Sequence, residues 1–374
     1  MDDRIVIDDY VLPSTLSLRE VKEVVMSTKY LRGFRVSFIR MTLMVAGPLL
    51  WMGFGSQSAR AIQCGDTITT DITLTANLGP CPGDGLVLNG DQITVNLNGR
   101  TISGTAVGSG ILFNGVQQAT IKGPGTVTNF GTGITMGGGA GAVMIYNIIF
   151  TRNTEAIWMA HPNGNIRVFN NVILGTGQQG KGIEIGGGST AYIYQNTVSG
   201  YPVGIYIGTE APNVFVDENL VTLNQTGIWA FYPDRTCFTI RGNRVLFNQG
   251  DGIRTGANPA SMVTMMAELP IWCPQGIGGD IEDNTVTNNQ RNGILVQAGS
   301  LSSQYIFDNE VSSNKTKGIS VQGSRMPGAT GVVQTIGNYT TRNGTDLFWD
   351  DVGMNYCWQQ NVYSTSSPLL LPGC

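Results

Sequence analysis

The sequence has little histidine and little charge. Of 374 residues one is His, His161, and only 13 % are Asp, Glu, Lys or Arg. No Cys-x-x-Cys pair occurs, which leaves zinc without a ligand set. Runs of helix formers are nearly absent after residue 62, which argues against a helical bundle. Glycine, by contrast, is abundant: 51 residues without a Gly-X-Y period, the mark of many tight turns rather than of collagen.

The N-terminal segment reads as an address rather than a fold. Basic "KYLRGFRVSFIR" precedes apolar "MTLMVAGPLLWMGFG", and "SARA" follows with Ala59 and Ala61 at the positions a signal peptidase reads. Residues 1–61 are therefore expected to be a signal peptide and N-terminal extension, with Met26 the more natural start. A membrane anchor is the alternative, but Arg40 and Arg60 bracket the apolar run too closely for a comfortable span. "AIQC" lacks the small residue that a lipid attachment at Cys64 requires. The expected location is secreted, periplasmic or at the cell surface, with no membrane span in the mature protein. The remainder holds fourteen basic and twenty acidic residues, which speaks against nucleic acid as a partner. All six cysteines lie in this part. In an exported chain they read as disulfides between neighbours: Cys64–Cys81, Cys237–Cys273 and Cys357–Cys374.

The dominant feature is a repeat. Gly-Ile or a close variant recurs as "GLVL" at 85, "GILF" at 110, "GITM" at 133, "AIWM" at 156, "GIEI" at 182, "GIYI" at 204, "GIWA" at 227, "GIRT" at 252, "GILV" at 293, "GISV" at 318 and "DLFW" at 346. Between them an apolar-x-x-Asn-x-apolar pattern returns, as in "VDENLV". A period of roughly 24 residues built of short β runs and Gly/Asn turns marks a β-solenoid. The expected fold is all-β, a single-stranded right-handed parallel β-helix of about eleven coils. Residues 62–109 form its N-terminal cap and first coil, 110–345 its repeats with an insertion at 257–279, and 346–374 its C-terminal cap. Stacking should set Asn147, Asn171, Asn196, Asn219, Asn243, Asn284, Asn309 and Asn338 in one hydrogen-bonded ladder, with Asn also suiting the left-handed backbone of a tight bend.

The cap "CGDTITTDITLTANLGPCPGDGL", the following "VNLNGRTISG" and the repeat resemble the secreted right-handed parallel β-helix repeat proteins of the pectate-lyase-like superfamily, over about residues 64–374. The resemblance is specific for fold and weak for activity, because the superfamily includes polysaccharide lyases, glycoside hydrolases and alginate epimerases. Signatures of polygalacturonase-like hydrolases are missing: Gly-His-Gly does not occur, and Asp350-Asp351 falls in the cap. "AHPNGN" lacks the acids of the epimerase motif. The acidic cluster of pectate lyases is no fixed string, so resemblance to them leaves calcium as a cofactor in view; otherwise the cofactor is unknown.

The middle residues of the Gly-Ile strands should point outward. Thr135, Trp158, Glu184, Tyr206, Trp229 and Arg254 would then form a wall on which sugars stack and hydrogen-bond. Substrate binding is assigned to Trp158, Glu184, Tyr206 and Trp229. A second stripe beside the Asn column holds Asp217, Glu218, Arg241, Arg244, Glu282, Asp283 and Asp308. For catalysis the expected set is Asp217 or Asp251 as base and Arg241 or Arg254 as charge stabiliser; the plainer reading is alternating-sign surface pairs. Met262, Met265, Met266 and Trp272 on the insertion, and the lone His161, are weaker candidates. The expected partner is a polysaccharide or cell-surface glycan, bound and in one version cleaved by lyase-like or hydrolase-like chemistry. The alternative is a non-catalytic surface or adhesion protein. Sequence fixes no oligomeric state.

Overall fold

The structure is a computed structural model. It describes residues 4–7, 10–13, 61–160, 164–177, 179–188, 190–208, 211, 213–231, 236–256, 277–297, 303–323, 331–352 and 356–373. The apolar leader, His161, the insertion up to residue 276 with its Met residues and Trp272, Cys273 and Cys374 lie outside these. Met1–Ala59 and Arg60–Cys374 are separate units. In the first, Arg4–Ile7 pairs antiparallel with Tyr10–Pro13.

The second unit is a parallel β-solenoid, and no helix occurs among its described residues. The coil around Asn219 shows the plan. Val203–Ile207 forms the first strand, Asn213–Asp217 the second and Leu220–Thr222 the third. Each pairs in parallel with its counterpart one coil on. Like strands stack into three ribbons, called the first, second and third sheets below. The first sheet has thirteen strands. Eleven contain the Gly-Ile-type segments at 85 to 346; Asp66–Ile68 and Ser366–Ser367 add one rung at each end.

Two-residue alternation fills the interior. Ile205, Ile207, Val214, Val216 and Val221 are fully buried, each burial contributing about 1.5–3 kcal/mol. Equivalent apolar residues continue this core from Ile68 to Trp358.

The bend between second and third sheets is held by the expected asparagine column. The Asn219 Nδ2 donates to Asn243 Oδ1 at 3.0 Å and to the Ile193 carbonyl at 2.8 Å, and its Oδ1 accepts from the Asn196 backbone N–H at 2.9 Å. The same pattern links Asn171, Asn196, Asn219, Asn243, Asn284, Asn309 and Asn338, and ends on Asn361. Two expectations need correction. Asn147 is not in this column. Ile145 pairs with Val168, which places Asn147 beside Asn170 and puts Ile148, whose backbone N–H donates to Asn171 Oδ1 at 3.0 Å, at the ladder position. The left-handed backbone also belongs to the residue before each ladder position: Asn147, Asn170, Gln195, Glu218, Gly242, Asp283, Asp308 and Gly337 all have φ between 51° and 70°.

A second, unforeseen ladder holds the bend between third and first sheets. It runs Asn224, Asn248, Asn289, Asn314, Asn343. Asp346 closes it: its Oδ1 accepts from the Asn343 side chain at 3.0 Å, and its Oδ2 from the backbone N–H groups of Ser364 and Thr365 at 3.0 and 3.1 Å. This ladder also explains Gly-Ile. A Cβ on Gly204 would lie 2.7 Å from the Gly227 carbonyl and 2.8 Å from the Asn224 amide nitrogen.

At the N-terminal end a disulfide joins Cys64 and Cys81. Cys237 and Cys357 are also disulfide-bonded, to partners outside the described residues.

Candidate functional site

The outward column of the first sheet is in register as expected. Thr135 pairs with Trp158, Trp158 with Glu184, Glu184 with Tyr206, Tyr206 with Trp229 and Trp229 with Arg254. Successive members are therefore one strand spacing apart, about 4.8 Å. Trp158 is an exposed ring at 38 %. The other two aromatic residues are engaged. The Lys181 ammonium lies 4.3 Å from the centroid of Tyr206, and the Arg254 guanidinium 4.7 Å from that of Trp229. Tyr206 and Trp229 meet edge to face at 5.6 Å, and Phe231 packs against both. Trp229 Nε1 donates to the Gly256 carbonyl at 2.9 Å. Arg254 Nη2 donates to Gln297 Oε1 at 3.2 Å. Burial lowers the Arg254 pKa, with Asp251 opposing and Arg291 adding to the shift.

The sequence reading missed a second outward column on the same sheet, formed by the residue preceding each Gly-Ile. Thr132 pairs with Glu155. Two residues before the paired Ile157 and Ile183 come Glu155 and Lys181. Lys181 in turn pairs with Val203. Lys181 Nζ is 2.6 Å from Glu184 Oε1. Burial and then the neighbouring Glu184 push Glu155 up to about 8 against the opposing pull of Lys181. Reading the column one position before Gly-Ile would have found this pair, because Glu155 and Lys181 are consecutive in it.

Asp251 stands in that column too, but is 2 % exposed and accepts from Asn292 Nδ2 at 2.8 Å and the Asn292 backbone N–H at 3.2 Å. Its carboxylate is a tie between coils, closed to a ligand. Asp217 and Arg241 lie elsewhere, on the second sheet, where Tyr194, Asp217, Arg241 and Glu282 are consecutive rungs. Arg241 stands 3.6 Å from Asp217 Oδ2 and 3.9 Å from Glu282 Oε1. Burial raises the Asp217 pKa, Arg241 opposing it and Glu218 and Glu282 adding to it. The structure thus does not bring Asp217 and Arg241 together with Tyr206, Trp229 and Arg254: the two sets occupy different sheets. Glu218, Asp283 and Asp308 occupy the bend column, and Arg244 opens a third-sheet strand. Alternating charge along the coils describes the second-sheet stripe.

The second sheet also carries stacked rings that the sequence reading did not single out. Tyr146, Phe169 and Tyr194 lie face to face at 4.8 and 4.9 Å, and Tyr192 and Phe215 at 4.9 Å. Their faces cover one another, so these columns work as ring stacks more than as sugar platforms.

Among the described residues no three His, Cys, Asp or Glu side chains converge where a metal could be held, and Arg241 already bridges the acids nearest to such a set. No helix among the described residues is long and apolar enough to cross a membrane.

The family model described as "Right handed beta helix region" matches residues 162–269. Comparison with curated proteins gave no match. Among solved structures, the periplasmic alginate epimerase AlgG is similar at 14 % identity and a TM-score of 0.46, over 80 % of this chain and 78 % of that one. The tailspike protein of E. coli bacteriophage HK620 in complex with pentasaccharide is similar at 12 % identity and a TM-score of 0.45, over 79 % and 67 %. At these values the likeness is one of fold and carries nothing about ligand. With parallel strands in register from Asp66 to Ser367 and two amide ladders along the bends, the chain is a right-handed parallel β-helix protein.

Proposed function

We propose that the protein binds a polysaccharide along the outer face of its first sheet, between the rungs of Glu155 and Arg254. The observation that carries this reading is the exposed Trp158 ring, set in line with Glu184, which is ion-paired to Lys181. An apolar ring face beside fixed hydrogen-bonding groups suits a sugar, whose C–H face stacks while its hydroxyls bond. Tyr206, Trp229 and Arg254 extend the face as a wall, their rings braced by the cations that cover them. The Cys64–Cys81 disulfide favours an oxidising compartment outside the cytoplasm, where such a ligand is met.

The test is retention on a panel of immobilised polysaccharides: a polyuronate, a neutral glucan and a bacterial O-chain. Trp158→Ala should weaken retention on the member that binds by roughly tenfold, about 1.4 kcal/mol. Unchanged retention would remove this face from consideration and favour a non-catalytic rod whose loops make the contacts. Cleavage is a separate question, answered by screening the same polymers for unsaturated or reducing-end products. Of the four residues expected to act in catalysis, Asp251 and Arg254 stand on this face; Asp251 is tied to Asn292 and Arg254 lies over Trp229 and donates to Gln297.

A further inference from the structure

We propose a second ligand site, on the outer face of the second sheet: a slot over Thr239, between Phe215 and Asp280, that takes a hexosamine unit with a free ammonium group. It lies on a different sheet from the glycan face proposed above and does not depend on that reading.

The argument starts from an interrupted column of rings. Tyr192, Phe215, Thr239, Asp280 and Tyr305 are consecutive rungs of the second sheet. All five point outward, because the residues that flank them along their strands, such as Val214, Val216, Ile240, Ile281 and Ile306, are buried. Tyr192 and Phe215 stack at 4.9 Å with their planes 8° apart, so one face of Phe215 is covered. The opposite face turns toward the next coil, where the column continues with Thr239, a side chain too short to cover a ring. Thr239 is partly exposed, so the place above it is open to solvent. Beyond it stands Asp280, two strand spacings from Phe215, about 9.6 Å. A ring laid over Thr239 would extend the stack by one member and come within reach of the Asp280 carboxylate.

The charges select the ring. In the neighbouring column Asp217, Arg241 and Glu282 are consecutive. Arg241 stands 3.6 Å from Asp217 Oδ2 and 3.9 Å from Glu282 Oε1, so those two acids share one cation. Asp280 is left over: among the described residues it has neither a hydrogen bond nor an ion pair. Asp217 Oδ1 is buried without a partner. Three acids against one guanidinium make the surroundings of the slot complementary to a cation. A hexosamine meets both demands at once. Its C–H face lies on Phe215, and its ammonium, carried on the same ring, bonds the Asp280 carboxylate. A lysine side chain would bring the ammonium but no ring face to set against Phe215.

Isothermal titration of the full chain with a glucosamine hexamer, and with the same oligomer fully N-acetylated, tests this. The free-amine oligomer should bind, and acetylation, which removes the charge, should weaken binding about tenfold or more. Asp280→Asn keeps the shape of the side chain and should weaken binding of the free-amine oligomer by a similar factor. Thr239→Phe continues the column of rings through the slot and should abolish binding, with a thermal midpoint no lower than that of wild type. Trp158→Ala should leave the affinity unchanged, which separates failure of this site from failure of the first-sheet reading. A free-amine oligomer that does not bind, one that binds no better than its acetylated form, or an affinity untouched by Asp280→Asn overturns the proposal. Loss of binding on Trp158→Ala places the oligomer on the first sheet and also overturns it. Hexalysine bound more tightly than the oligomer, and lost in Asp280→Asn, overturns the sugar as the occupant in favour of a cationic peptide.

Discussion

At the scale of the residue, the informative side chains are those whose neighbours change what they can do. Glu155 folds with its proton retained up to about 8, whereas in the unfolded chain it ionises near 4.5. Between those values folding takes up a proton, so raising the pH opposes folding. The stability tied to this group is fully present below 4.5 and is lost as the pH rises through 8. Urea unfolding at intervals from about pH 5 to about pH 9 should therefore show Glu155→Gln gaining on the wild type as the pH rises. A constant difference across the range would show that Glu155 ionises alike in both states. The sequence carried this only as a column position: the acid in "TEAIW" takes its meaning once Lys181, next in the column before Gly-Ile, and Glu184 are brought to it from the following coil. Asp251 is the converse: it looked like a base beside Arg254, and proves to be a tie to Asn292. The slip at Asn147 has a local cause. "MIYNII" has one residue fewer than "VFNNVI" between its inward apolar residue and its asparagine, and that residue decides between bend and ladder.

At the scale of the element, the Gly-Ile strand was legible almost whole: all eleven segments read from the sequence are rungs of the first sheet. The reason for the glycine was not, since it lies in a ladder asparagine some twenty residues later. Gly133, Gly204, Gly227, Gly252, Gly293 and Gly318 each face an amide from the bend that follows them. Ala156 occupies the same position, and the bend after its coil, Gly175–Thr176–Gly177, has no asparagine. Side-chain volume is thus traded between the two positions. Gly204→Ala would force a methyl group into the Gly227 carbonyl and the Asn224 amide, at a cost of about 1–3 kcal/mol. Adding Asn224→Gly should recover part of the loss, and a denaturant series on the two single variants and the double variant measures the coupling.

At the scale of the whole molecule, two amide columns accompany a continuous apolar core. Each buried asparagine both donates and accepts, so removing one leaves groups on either side without partners. Asn219→Ala would strip the Asn196 backbone N–H and the Ile193 carbonyl of theirs. A loss of about 2–3 kcal/mol follows, read as a lower urea midpoint; a loss below about 0.5 kcal/mol would mean that water replaces the amide. The columns also run one way. From Asn171 to Asn338 each side-chain amide donates to the asparagine of the next coil in sequence and, from Asn196 on, accepts from that of the coil before, while also donating back to a carbonyl of the preceding coil, and the second column stops on the Asp346 carboxylate. Internal coils are interchangeable in this scheme, because each presents the same acceptor below and the same donor above, whereas Asp346 accepts from both sides and permits no further unit of its kind. Length is therefore the variable that descent can change at little cost: relatives of this chain are expected to gain or lose whole turns in the middle and to agree at the closing carboxylate.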